Sequence, residues 1–220
     1  GCLGSPAGVV DIIVNELPVA TATLSGNGVI CEGESSQFTL DFTGVAPFTY
    51  EYTDGSTVYG PFTTNNNSEV LPVSPMTTTT YSLVSLLDLN CPGSVSGSAQ
   101  IVVNQLPTAS VTGNQSICDG SSTTFSINFT GTGPYTYTYS DGGTVMGPFT
   151  TSNNPEIISI TPGVTTTYAP LTISDANCTG TAAGTIDVVV NEIPTAVISG
   201  VSTICYGEQT DFNITFTGNG

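Results

Sequence analysis

A cysteine period constrains this chain more than any other feature. Cys31, Cys118 and Cys205 are separated by 118 − 31 = 87 and 205 − 118 = 87 residues, and Cys91 to Cys178 gives 178 − 91 = 87 again. Between these marks the same plan recurs: Cys, a small polar turn, a branched apolar run ending in Asn, a proline, a second strand, then a branched residue and Cys. The runs read GVVDIIVNELP, GSAQIVVNQLP and GTIDVVVNEIP. From Cys31 to Pro107 the chain aligns on Cys118 to Pro194 without a gap, and about half of the positions are identical. Self-similarity at a fixed period is the signature of a repeat architecture. Two complete modules are expected at 19–107 and 108–194, with 1–18 as the last strand of a preceding copy and 195–220 as the opening strands of a following one.

Within a module the apolar residues alternate, which is the strand period. Phe38, Leu40 and Phe42 match Phe125, Ile127 and Phe129, and again Phe212, Ile214 and Phe216. A third strand alternates aromatics with threonine (Phe48, Tyr50, Tyr52; Tyr135, Tyr137, Tyr139) and ends in Asp54-Gly55 or Asp141-Gly142, a hairpin signal. A fourth carries Val58 or Val145, and a fifth reads EVLPVSP or EIISITP. A sixth runs from a Thr-Tyr start through Val84 and Leu86, or Leu171 and Ile173, and the junction strand is the seventh. Seven short strands with turn residues between them and no helical periodicity predict an all-β chain of tandem immunoglobulin-like, seven-stranded β-sandwich domains arranged in a row.

Composition then restricts function. The chain holds 17 acidic residues and no Lys, Arg or His, a net charge of −17. A surface of that sign repels nucleic acid and anionic membranes. No apolar run approaches the length of a membrane span, so neither nucleic-acid binding nor direct membrane insertion is expected. Only 8% of residues are charged while 38% are hydrophobic, so the chain is no disordered polyacid and its wet surface is built from Thr, Ser, Asn and Gly. Trypsin-like proteases find no basic residue at which to cut.

With no His to complete a zinc site and no CxxC pair, the six cysteines read as disulfide chemistry in an oxidising, extracellular or periplasm-like compartment. Two pairings fit the spacing. Cys31 with Cys91 and Cys118 with Cys178 would each close a loop of about 60 residues within one module, which chain entropy values at roughly 4 kcal/mol. The first and last turns of a seven-strand sandwich lie at opposite ends, however, so the second pairing joins Cys31 to Cys178 of the next module. Cys2 and Cys205 take partners outside the sequence under either scheme.

Carboxylates are the only charged groups. Asp54 and Asp141 precede Gly and read as turn formers. Asp88 with Asn90, and Asp175 with Asn177, offer oxygens to calcium, though a hard cation wants six to eight. A glycosidase-like acid pair needs a unique cleft, whereas every prominent acid here recurs on a turn; no enzyme activity, no catalytic residue and no cofactor other than calcium are expected. The stripe Tyr50, Tyr52, Tyr137 and Tyr139 is either half core or a carbohydrate-stacking platform, and Tyr81 and Tyr168 read as corner tyrosines. Ile13, Val102 and Val189 point outward on the junction strand and mark an interface.

The stretches SICDGSSTTFSINFTGTGPYTYTYSDGG and TPGVTTTYAPLTISDANCTGTAAGTIDVVVNEIPTA resemble the tandem Ig-like or PKD-like repeats of giant surface adhesins of gliding Bacteroidota, the SprB-type family exported by the type IX system. The resemblance covers the whole chain. It implies a secreted, cell-surface protein that forms an adhesive fibre or filament, with neighbouring copies, surface glycans or other cells as partners, and it carries over no catalytic residues. A passive stalk presenting a separate binding domain, or a carbohydrate-binding module array, is the alternative role.

Overall fold

The computed structural model describes residues 8–14, 19–25, 28–200 and 203–218. Every regular element among them is a strand, and the chain divides into two compact units, Gly1–Asn104 and Gln105–Gly220. The first unit holds β1 (Val19–Ser25), β2 (Val29–Cys31), β3 (Ser36–Phe42), β4 (Phe48–Thr53), β5 (Val58–Thr64), β6 (Ser68–Val73), β7 (Thr79–Leu87) and β8 (Ser94–Asn104). The second repeats them as β9 (Thr108–Thr112), β10 (Gln115–Cys118), β11 (Thr123–Phe129), β12 (Tyr135–Ser140), β13 (Val145–Thr151), β14 (Glu156–Ile160), β15 (Thr166–Ser174), β16 (Thr181–Ala183) and β17 (Ile186–Asn191). It then continues into a hairpin of β18 (Thr195–Gly200) and β19 (Phe212–Thr217).

The two sheets of a sandwich are clearest in the second unit, in the orders β14-β11-β9-β16 and β13-β12-β15-β17-β10. In the first unit the same two layers are joined because β8 serves both. Its start pairs with β1 (Ala22↔Gly97), its middle with β7 (Ser82↔Ser98) and its end with β2 (Cys31↔Asn104). The change of partner falls at Gly97, whose φ of 84° is open to glycine and costly for other residues. The matching Gly184, at φ 89°, separates β16 from β17.

The opening strand of a module also divides. β1 and β9 lie in one sheet, whereas β2 and β10 cross to the other and run parallel to the junction strand (Val29↔Val102; Gln115↔Val188). Sequence reading assigns no strand to β2 and β10, because VIC and QSIC are too short to show a period of their own.

Alternating burial follows the sequence pattern where two sheets face each other. Phe38, Leu40, Phe42, Phe48, Tyr50, Tyr81 and Ile101 build the first core, and Phe125, Ile127, Phe129, Tyr137, Tyr168, Ile173 and Val188 the second. Aromatic pairs lock these layers: Phe42 stacks on Phe48 at 5.2 Å and Phe129 on Tyr135 at 4.7 Å between ring centroids, geometries that add to burial.

Three expectations are corrected. Val84 and Leu171 are exposed, because register shifts between β4 and β7 and between β12 and β15 break the alternation before Leu86 and Ile173, which are buried. Phe212, Ile214 and Phe216 alternate as their counterparts do but are exposed, and among the described residues β18 and β19 form a two-stranded sheet of their own. Residues 8–14, within the segment expected as the last strand of a preceding copy, form no strand, and residues 1–7 and 15–18 lie outside the described residues. The sheet-switch glycine is open to test. Gly184→Val places a branched side chain at positive φ and is expected to lower stability by about 1–2 kcal/mol, seen as a lower urea midpoint with an unchanged slope.

Candidate functional site

Each module builds two cysteine turns, one at either end of its junction strand. At the start of β8, the Asp88 carboxylate organises the turn Asp88-Leu89-Asn90-Cys91. Oδ1 accepts the backbone N–H groups of Asn90 at 2.8 Å and Cys91 at 2.7 Å, while Oδ2 accepts that of Val45 at 3.0 Å. The Asp88 N–H donates to the Cys91 carbonyl, and the Leu89 N–H to that of Val45. The second module repeats the arrangement. Asp175 Oδ1 accepts from Asn177 at 2.8 Å and Cys178 at 2.7 Å, and Oδ2 accepts from Thr132 at 2.9 Å. Asp88 is 3% exposed and the single buried polar residue among those described. A buried carboxylate must be matched by donors, and here backbone amides are the donors.

Gly180 follows this turn closely. Its N–H donates to Ile173 and the next N–H, of Thr181, to the carbonyl of Pro107. A Cβ at Gly180 would stand 1.7 Å from that carbonyl oxygen, so the turn admits only glycine there.

At the other end, β2 finishes beside the end of β8. Cys31 is level with Asn104, the Glu32 N–H donates to the Asn104 carbonyl, and Glu34 closes a tight turn by accepting the Cys31 N–H at 2.9 Å through Oε2. In the second module Cys118 is level with Asn191, and the Asp119 N–H donates to the Asn191 carbonyl. The third copy keeps the acidic cap, with Glu208 accepting from the Cys205 N–H at 3.1 Å.

The intramodular disulfides expected as one alternative are therefore corrected. Cys91 precedes the first residue of β8 and Cys31 faces its last, and eleven strand residues at about 3.3 Å each span far more than a disulfide reaches. Cys31 and Cys178 are both disulfide-bonded, whereas Cys91, Cys118 and Cys205 are free thiols. Cys2 lies outside the described residues.

The remaining candidates take structural places. Asp88 and Asp175 spend their oxygens on backbone amides, and no group of three or more His, Cys, Asp or Glu able to hold a metal occurs among the described residues. Asn90 and Asn177 contribute their backbone N–H groups to the turns. Asp54 caps its hairpin by accepting from Ser56, Thr57 and the Tyr59 hydroxyl, and Asp141 accepts from Thr144. Tyr50, Tyr137 and Tyr139 are buried and Tyr52 packs against the first core, so their rings form no open platform for a sugar. Burial foremost, with the Glu156 charge second, pushes the Tyr137 hydroxyl up to about 12. Tyr81 stacks on Phe38, and Tyr168 packs tilted against Phe125, both as core residues. Of the three outward residues, Ile13 and Val189 are exposed and Val102 is half-buried beside Val29.

Among solved structures, the chain is similar to the I-band fragment I67-I69 from titin, with a TM-score of 0.54, 15% identity, and coverage of 90% of this chain and 74% of that one. An E-to-A mutated variant of the same three titin domains gives a TM-score of 0.55 at 15% identity and the same coverage. No protein-family model and no curated protein matches the sequence. At this identity the likeness establishes the fold: tandem immunoglobulin-like sandwiches, here carrying a disulfide.

The aspartate turns have a pH signature. Val45 foremost, then Cys91 and Asn90, hold the Asp88 carboxyl below its ordinary range. Burial alone would raise Asp175, and the N–H groups of Thr132, Cys178 and Asn177 overcome it and lower the carboxyl. A lowered folded pKa gives stability that is complete above the unfolded value of about 3.9 and is lost as pH falls through the folded value. The melting temperature should hold from pH 7 to about 5 and fall below pH 4, and an Asp88→Asn, Asp175→Asn double variant should start lower and lose less over the same acid range.

Proposed function

We propose that this chain is a repeat region of a large secreted cell-surface protein, in which modules set in series form an extended adhesive fibre. The observation that carries this reading is the duplication of every chemically notable group in the same structural role. Asp88 and Asp175 hold cysteine turns, Asp54 and Asp141 cap hairpins, and Tyr137 and Tyr50 fill cores. A catalytic centre needs a unique constellation, whereas a scaffold needs one unit repeated. The disulfide supports an oxidising compartment outside the cytoplasm. The resemblance to the surface adhesins of gliding Bacteroidota supports the adhesive role.

Two measurements test this. Antibody labelling of intact cells of the source organism, viewed by electron microscopy, should decorate long surface fibres, and cells lacking the protein should attach less. Label confined to the cell interior, with all cysteines reduced, would overturn the proposal. Outward branched residues on the junction strand supply a lateral contact: Val189, which is exposed, should on change to Asp weaken association between fibres while leaving the melting temperature within about a degree or two, as is typical of a surface site. Association unaltered by Val189→Asp would remove this residue from the contact.

A further inference from the structure

The hairpins at Asp54 and Asp141 share a dipeptide, Asp-Gly, and a backbone, with Gly55 at φ 90° and Gly142 at φ 88°. An aspartate followed by glycine carries its own electrophile and nucleophile. These are the side-chain Cγ and the amide nitrogen of the next residue, which has no Cβ to crowd the approach. Ring closure between them needs a neutral carboxyl that can lose water and a glycine N–H that is not held elsewhere.

The first unit withholds both. The Asp54 carboxylate accepts from the N–H groups of Ser56 at 2.8 Å and Thr57 at 2.7 Å, and from the Tyr59 hydroxyl at 2.8 Å. Thr57 foremost, then Ser56 and Tyr59, hold the carboxyl below its ordinary range, so its neutral form is rare. The nucleophile is tied as well: the Gly55 N–H donates to Thr53 Oγ1 at 3.0 Å, and that hydroxyl donates onward to the Thr57 carbonyl at 2.7 Å.

The second unit keeps the turn and drops these guards. At the matching positions Thr53, Ser56 and Tyr59 give way to Ser140, Gly143 and Met146. Met146 has no hydroxyl to offer the carboxylate. Of the three contacts made by Asp54, only the one from the last loop residue recurs, Thr144 N–H to Asp141 Oδ1 at 3.0 Å. Among the described residues no hydrogen bond holds the Gly142 N–H.

We propose that Asp141 is a modification site, at which the chain isomerises to isoaspartate without an enzyme, while Asp54 is protected. The Gly142 nitrogen bonds to Asp141 Cγ, the Cγ–OH bond breaks, and the amide proton leaves with that hydroxyl as water. Water then adds to the α-carbonyl carbon of the ring and breaks its bond to the Gly142 nitrogen. The main chain now runs through Cβ, with the α-carboxylate pendant; addition at Cγ instead restores aspartate. The extra main-chain carbon falls between Ser140 and Val145, the pair at which the β12–β13 register begins, and β13 is the edge of its sheet, paired with β12 alone. Isomerisation therefore loosens an edge strand whose Val145 and Phe149 are exposed, the kind of edge on which a strand of another chain can add.

Ageing the 220-residue chain at neutral pH and physiological temperature, then cutting it with an aromatic-specific protease, separates residues 140–149 from residues 53–59. Electron-transfer fragmentation tells isoaspartate from aspartate in each peptide. Isoaspartate should accumulate at 141 about tenfold faster than at 54, the ratio set by one hydrogen bond to a charged group. In urea that unfolds the chain the two rates should converge, because the dipeptide is the same. Ser140→Thr, Gly143→Ser and Met146→Tyr together should bring position 141 down to the rate at 54, and Gly143 has open space for a side chain. Tyr59→Phe should raise the rate at 54. Equal rates at the two sites of the folded chain would overturn the proposal. So would a folded chain free of isoaspartate at 141 under conditions where the unfolded chain forms it, or a triple variant that ages as the unaltered chain does.

Discussion

The fold depends on the junction strand being hydrogen-bonded on both sides and in both sheets. β8 meets β1, β7 and β2 in turn, and β16 with β17 does the same for β9, β15 and β10. Because its two parallel partners come from the start of the module, this strand closes the sandwich by tying the first residues of the unit to the last. Its length also separates the two cysteine turns. Strand rise is fixed by the backbone, so a module long enough to bury its aromatic core cannot bring Cys31 to Cys91. The same dimension that makes the core denies the internal staple.

The aspartates show how an acidic chain without side-chain cations manages burial. A carboxylate removed from water needs compensation, and here backbone amides supply it: Asp88 gathers three N–H groups from two separate loops, and Asp175 repeats the set. The carboxylate thereby pins the 45 or 132 loop to the cysteine turn, which orients the sulfur-bearing residue. Hydroxyls perform the lesser tasks on the wet face, where Thr49 meets Thr63, Thr136 meets Thr150 and Thr138 meets Thr172 across strands.

Much of this was legible in the residues. The alternation Phe125-Ile127-Phe129 predicted a core strand because period 2 is a direct consequence of the pleat, and Asp-Gly predicted the hairpins at 54 and 141. Less accessible were features that need a partner to exist. VIC is a strand only because β8 presents Val102 to Asn104 beside it, and Val84 faces water only because β4 slips register opposite it. The aspartate turns are visible as Asp-x-Asn-Cys, but their role is not, since the amides of Val45 and Thr132 that meet the carboxylates lie 43 residues away in sequence. The pairing of the cysteines was undecided for a related reason: spacing gives a period, and only the place of each turn along the strand says which end it occupies.

Seventeen acids and no basic side chain give neighbouring copies a single sign of charge. Two such surfaces repel across the Debye length, about 8 Å at physiological ionic strength, and that repulsion weakens as salt is added. Where two such surfaces approach, the ionic medium therefore sets the barrier, no complementary charge lowers it, and the attractive groups left to them are hydroxyls, amides and small apolar faces.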